Sequence, residues 1–143
     1  MKLIIQIPCY NEAETLEQTI RDLPVTVPGF DCVEYLVIDD GSRDGSMGVL
    51  RGIQASDPHV RIFRLRKNFG QTAGLQAGFD HARGDVIVSM DGDLQHAPEE
   101  IPQFLAKIDE GFDIVSGWRK DRKDNALFRK FPSRVANRMM KRL

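Results

Sequence analysis

Apolar runs alternate with stretches of helical periodicity from the first residues onward. Leu3–Pro8 (LIIQIP) is a short, almost continuous apolar run and predicts a buried first strand. Glu12–Leu23 (EAETLEQTIRDL) is rich in helix formers and repeats Leu16, Ile20 and Leu23 at four- and three-residue spacing, which predicts a helix. Val33–Asp39 (VEYLVID) predicts a second strand, and Gly45–Ser56, beyond a turn, a second helix. Val60–Leu65 (VRIFRL) alternates as a strand does, and a helix follows over Gln71–Ala82. Asp85–Met90 (DVIVSM) predicts a fourth strand, Pro98–Gly111 the next helix, and Phe112–Gly117 (FDIVSG) a fifth strand. Strands and helices in strict alternation predict an α/β fold, a mostly parallel sheet with helices on both faces.

That architecture directs attention to one edge. In open parallel sheets ligands bind beyond the carboxyl ends of the strands. The polar clusters fall there: PCYNE after the first strand, DDGSRDGS after the second, RKNFGQ after the third and DGDLQH after the fourth. Four such clusters at one edge mark it as the functional face.

Composition narrows the class. The chain has 143 residues, 41% hydrophobic and 29% charged, which suits one soluble globular domain with a real core. Cys9 and Cys32 make no disulfide framework, so a reducing compartment is expected. No apolar run approaches the roughly 20 residues of a membrane span, and MKLIIQIPC reads as a strand rather than a signal segment. Charge is unevenly spread. Residues 1–117 carry 10 Lys+Arg against 19 Asp+Glu, whereas residues 118–143 carry 10 against 2. The basic tail suits an anionic partner (a phosphate, a membrane surface or nucleic acid), or else is a solvated face.

The chemistry concentrates in VSMDGDLQHAPEE. Asp91, Asp93 and Gln95 gather three oxygen-bearing side chains within five positions as the chain leaves the fourth strand, with Gly92 letting the backbone bend between the carboxylates. Hard cations such as Mg²⁺ or Mn²⁺ take oxygen ligands of this kind and keep positions open for phosphates. A bare DxD is as often a turn or a helix cap. Here Pro98 supplies a helix start of its own, which favours the metal. Neither GxxxxGK[ST] nor GxGxxG occurs. Asp39, at the tip of the second strand, suits a ribose or base contact. Asp40 is placed to hold the following turn. Tyr10 can lie against a base, and Asn11 reads as a helix cap. Gly70, Gly74 and Gly78, spaced by four, predict close packing of a helix on the sheet. No Ser-His-Asp or Cys-His grouping is evident.

Taken together, IPCYNEAETL, VIDDGSRDGS, NFGQTAGLQAGFDHARGDVIVSMDGDLQHAPEEIP and GWR resemble family 2 glycosyltransferases of the GT-A fold, above all those using polyprenyl phosphates, the dolichyl-phosphate mannose synthase group and its bacterial relatives. The resemblance implies a metal-dependent, inverting transfer from a nucleotide-sugar, UDP- or GDP-linked, to a polyprenyl (undecaprenyl or dolichyl) phosphate. It implies that Pro8, Tyr10, Glu12, Val37 and Asp39, with Gly92, hold the nucleotide-sugar, and that Asp91, Asp93 and Gln95 hold Mg²⁺ or Mn²⁺ at its diphosphate. It implies Arg119 at the donor phosphates, Asp91, Asp93 and Arg119 as the catalytic set, and Arg129 and Ser133 at the acceptor phosphate.

On this reading residues 1–117 form the donor-binding core. Residues 118–143 are a basic amphipathic segment with Phe128, Phe131, Val135, Met139 and Leu143 on one stripe, suited to peripheral contact with a membrane or to packing on the protein itself. The expected location is cytoplasmic, at the inner face of the membrane, without nucleic acid as a partner. Family catalytic domains run on into a second half, so the fold is expected to be incomplete at its C-terminus and the 143 residues to bind donor and metal but transfer poorly alone. The alternative is a non-catalytic nucleotide-sugar-binding or membrane-docking module. A DxD phosphatase is disfavoured, because its nucleophile ends the first strand of its sheet, whereas Asp91 follows the fourth.

Overall fold

The computed structural model of the chain describes residues 1–92 and 98–117. Four strands, β1 (Lys2–Cys9), β2 (Cys32–Asp39), β3 (Val60–Arg64) and β4 (Val86–Ser89), form one parallel sheet in the order β3-β2-β1-β4. Helices α1 (Leu16–Arg21), α2 (Ser46–Ser56) and α3 (Gln71–His81) join successive strands. A 3₁₀ turn over Pro98–Glu100 leads into α4 (Ile101–Asp109). No helix among the described residues is long and apolar enough to cross a membrane.

The sheet is covered on both sides. On one face Leu3, Ile5, Ile7, Tyr35 and Val37 pack against Leu16 and Ile20 of α1, Leu50 of α2, and Ile101 and Leu105 of α4. On the other, Ile4, Leu36 and Ile38 meet Ala77 and Ala82 at α3. β1 and β2 are thus buried on both faces, which is why they are apolar along their length instead of alternating. Each aliphatic side chain enclosed there contributes about 1.5–3 kcal/mol, so the two central strands anchor the domain.

Close packing of α3 rests mainly on one of its three glycines. A Cβ on Gly78 would lie 2.2 Å from Gln6 Oε1 and 3.0 Å from Ile38 Cδ1, whereas one on Gly74 would make an ordinary 3.5 Å contact with Pro8. Gly70, at the helix start, serves another purpose: its φ of 94° lies in the left-handed region.

Two expectations change. The first helix begins at Leu16, not Glu12: the chain leaves Asn11 at φ 54° and makes a turn over residues 13–15 first, while the Glu12 and Ala13 N–H groups bond the loop after β2. The expected fifth strand is not one: Phe112–Gly117 pairs with no strand among the described residues, and Ile114 is 86% exposed. An apolar alternating run has strand propensity, but a strand also needs a neighbour to complete its ladder.

The register fixes the functional edge. Cys9 lies opposite Asp39, and Asp39 opposite Arg64. On the other flank Gln6 lies opposite Ser89, so the segment Met90–Gly92 emerges beside the end of β1.

Candidate functional site

The loops after β1 and β2 are knitted together by polar groups. Asn11 adopts φ 54°, a left-handed conformation that asparagine tolerates better than most side chains. From there its N–H donates to Ser42 Oγ (2.9 Å), and its Oδ1 accepts from the Arg43 N–H (2.9 Å). Glu12 N–H donates to Ser46 Oγ (3.0 Å) and Ala13 N–H to Asp44 Oδ2 (3.2 Å). Asn11 is therefore not the cap of α1, as its sequence position suggested. It is a strut between two loops.

The adjacent carboxylates Asp39 and Asp40 have divided tasks. Asp39, fully buried, accepts the Ser42 N–H at 3.0 Å and closes the turn. Its other oxygen lies 3.0 Å from Arg64 Nε, and Arg64 also donates to the Ser42 carbonyl at 3.1 Å. Asp40 points the other way and accepts from Phe69 N–H (2.8 Å), Gly70 N–H (2.8 Å) and Asn68 Nδ2 (3.0 Å). The turn expected of Asp40 thus belongs to Asp39, and Asp40 ties down the loop after β3. Gly41 follows them at φ 71°, where a Cβ would come within 2.5 Å of the Lys67 carbonyl carbon. Only glycine fits there.

At the tip of β4, Asp91 Oδ1 accepts from Gln71 Nε2 at 3.0 Å, at the start of α3. The Gly92 carbonyl accepts two hydroxyls from the α1 segment, Thr15 Oγ1 (3.2 Å) and Thr19 Oγ1 (3.0 Å). A Cβ on Gly92 would lie 2.4 Å from Glu12 Oε2. Gly92 is not in the left-handed region, so it is not there for a bend; it leaves room for the end of the Glu12 side chain.

The edge carries a negative field. Burial pushes the Cys9 thiol up, and the charges of Asp39, Glu12, Asp44 and Asp40 push it further. The Ser46 hydroxyl and N–H hold the Asp44 carboxyl below the usual carboxylate range. Hard divalent ions bind all-oxygen donor sets, and the chemistry of this edge fits one: an acidic field with Asp91 at the strand tip. Among the described residues no three His, Cys, Asp or Glu side chains form a metal cluster. Asp93 and Gln95, expected to complete the set, lie outside the described residues, as do Arg119, Arg129 and Ser133.

The other expected contacts gather at or beneath the same edge. Tyr10 is exposed just past β1, Glu12 is half-buried against Gly92, and Pro8 is buried in β1 opposite Ile38. Val37 is fully enclosed in the core, so its side chain supports the edge from below. A ligand bonding Asp39 directly meets Arg64 beside it, and Asp39 Oδ2, buried and without a hydrogen-bond partner among the described residues, has acceptor capacity left. Sequence reasoning passed over Arg64, Ser42, Ser46, Thr15, Thr19 and Gln71. Thr19 did leave a trace, since it occupies the apolar stripe of α1 between Leu16 and Ile20, where a hydroxyl needs a partner.

Comparison with known proteins identifies the family and the fold. Residues 4–143 match the family model described as "Glycosyl transferase family 2". The chain is 43% identical, over 99% of its length, to an undecaprenyl-phosphate 4-deoxy-4-formamido-L-arabinose transferase of Salmonella choleraesuis strain SC-B67, and equally so to one of Salmonella paratyphi B. It spans 43% of the length of those relatives. The mannosyltransferase PcManGT of Pyrobaculum calidifontis, solved with GDP-Man and Mn²⁺, is similar with a TM-score of 0.64 and 24% identity, over 72% of this chain and 31% of that one. S. aureus TarS 1-349 in complex with UDP-GlcNAc is similar with a TM-score of 0.62 and 21% identity, over 90% of this chain and 38% of that one. These two likenesses carry the fold, which is the GT-A fold expected from the sequence. With a family match over nearly every residue, the chain belongs to glycosyl transferase family 2.

Proposed function

We propose that this chain is the donor- and metal-binding part of an inverting glycosyltransferase that moves a sugar from a UDP- or GDP-sugar to a polyprenyl phosphate. The observation that carries the reading is the acidic edge where β1, β2 and β4 end together, with Asp91 at the β4 tip. The identity to the undecaprenyl-phosphate transferases supports the acceptor class.

In this reading Asp91, Asp93 and Gln95 hold Mg²⁺ or Mn²⁺. When bound, the ion neutralises charge on the departing nucleoside diphosphate. Arg119 stabilises the same charge. Tyr10 and Glu12 line the nucleotide from the β1 side, and Asp39 with Arg64 from the β2–β3 side, over a floor made by Pro8 and Val37. Gly92 keeps the β4 tip close enough to Glu12 for both to share the site. An acceptor phosphate brings its own anionic oxygen as nucleophile, so displacement at the anomeric carbon calls for no protein base. Arg129 and Ser133 receive that phosphate. Residues 1–117 form the donor core and residues 118–143 the approach to the acceptor, working at the cytoplasmic face of a membrane.

The test is transfer of labelled sugar from UDP- and GDP-sugars to undecaprenyl phosphate by the full-length protein, with and without Mn²⁺. Asp91→Asn is expected to lower kcat/KM by about 100-fold or more, the scale of losing a group that stabilises developing charge. Donor and Mn²⁺ binding without transfer to any polyprenyl phosphate would favour a binding module instead.

A further inference from the structure

We infer that Thr19, assisted by Thr15, is a positioning residue for the β4 tip: the two hydroxyls hold the Gly92 carbonyl and thereby set the segment that carries Asp91. The inference rests on the donor-site reading above and deepens it.

The sheet alone does not reach the loop. β4 ends at Ser89, and Met90 N–H still bonds the Gln6 carbonyl at 3.1 Å. Two residues later the backbone is held from another direction, by α1. The Gly92 oxygen accepts from Thr19 at 3.0 Å and from Thr15 at 3.2 Å. A carbonyl oxygen has two lone pairs, and two donors on it fix the plane of its peptide as well as its position. Asp91 is the residue immediately before Gly92.

Thr19 has a cost that this bond explains. It is 3% exposed and sits on the core-facing stripe of a six-residue helix. Leucine or alanine would favour the helix more and bury no hydroxyl. Thr15 is the lesser partner, because its single proton is shared between the Gly92 and Glu12 carbonyls, both at 3.2 Å. The same sharing joins the loop that carries Tyr10 and Glu12 to the loop that carries Asp91. Seating of the nucleotide and seating of the metal are therefore mechanically linked through the start of α1.

The experiment measures Mn²⁺ affinity directly, by electron paramagnetic resonance of free Mn²⁺ with the full chain and saturating UDP or GDP. Thr19→Val keeps the side-chain shape and removes the hydroxyl. It is expected to weaken Mn²⁺ about tenfold, as losing the support of a metal ligand commonly does. Thr19→Ser keeps the hydroxyl and is expected to stay within about twofold of wild type. Tyr35→Phe is the control. It removes a buried hydroxyl 3.5 Å from the Leu23 carbonyl, away from the edge, and should alter the melting temperature but not the Mn²⁺ affinity.

Wild-type affinity in a folded Thr19→Val protein overturns the inference and leaves the donor-site reading standing. Absence of Mn²⁺ binding by the wild type overturns the reading itself. Should Thr19→Val fail to fold, Thr15→Val serves, with an expected loss of about threefold; unchanged affinity there overturns the inference equally.

Discussion

The two ends of the sheet handle most of their carboxylates differently. At the amino end, acids meet cations: Asp31 meets the Met1 amine, and Glu34 meets both Lys2 Nζ (2.7 Å) and Arg61 Nε (2.9 Å). At the carboxyl end Asp39 meets a cation, Arg64 (3.0 Å), but Asp40 is satisfied by two backbone N–H groups and the Asn68 amide, and Asp44 by Ser46. Neutral donors stabilise a carboxylate without cancelling its charge. The first arrangement neutralises itself, and the second leaves the charges of Asp40 and Asp44 standing, which add to burial in pushing the Cys9 thiol up. A surface that only needed to be soluble would suit either. A surface that receives a divalent ion needs the second.

That contrast can be broken most forcefully at Asp40. Asp40→Ala leaves three donors facing a cavity beside Gly41 and releases the loop after β3. It should cost roughly 3 kcal/mol or more of stability, read by urea denaturation. Next comes Gly92→Ala, whose methyl would meet Glu12 Oε2 at 2.4 Å. Moving the Glu12 carboxylate aside should cost about 1 kcal/mol, and calorimetry should show weakened Mn²⁺ binding as well.

A smaller effect depends on pH. The Asp44 carboxyl is held below its ordinary value by Ser46. A depressed carboxyl stabilises the fold above the unfolded value, about 3.9, and loses that contribution as pH falls through the folded one. Wild type should therefore be more stable than Asp44→Asn at neutral pH, with the gap closing below about pH 4 in thermal melts. The smallest effect belongs to the amino end. Lys2→Met opens a part-exposed pair with Glu34 and should change stability by less than about 1 kcal/mol, with even that screened by 1 M salt. A large loss there would mean that the two ends differ less than described.

Most of the architecture was legible because burial on both faces writes itself into composition. β1 and β2 were plain as apolar runs, and the glycine ladder of α3 announced its close approach to the sheet. Phe112–Gly117 misled because propensity is local and pairing is not. At the site, the clustering of polar segments at one edge was readable from strand order alone. Their division of labour was not. Asp39 and Asp40 are neighbours of identical chemistry, and only the side of the chain from which each departs decides which holds the turn and which holds the next loop. Asn11 looked like a helix cap for a similar reason, since a cap and an inter-loop strut need the same side chain. Gly92 was expected to let the backbone bend, but its φ is not in the left-handed region and the space beside it is taken by the end of Glu12.

The central claim is that the carboxyl end of the sheet holds a nucleoside diphosphate through a divalent ion at Asp91. Thermal melts of wild type and Asp91→Asn with UDP, GDP and their sugars, each with Mn²⁺ or with EDTA, test it most directly. The account predicts stabilisation of the wild type by one of these nucleotides only when Mn²⁺ is present, approaching 2.7 kcal/mol at about 100 times the dissociation constant, and its loss in the variant. Equal stabilisation in EDTA, or an Asp91→Asn protein that responds like wild type, would contradict it.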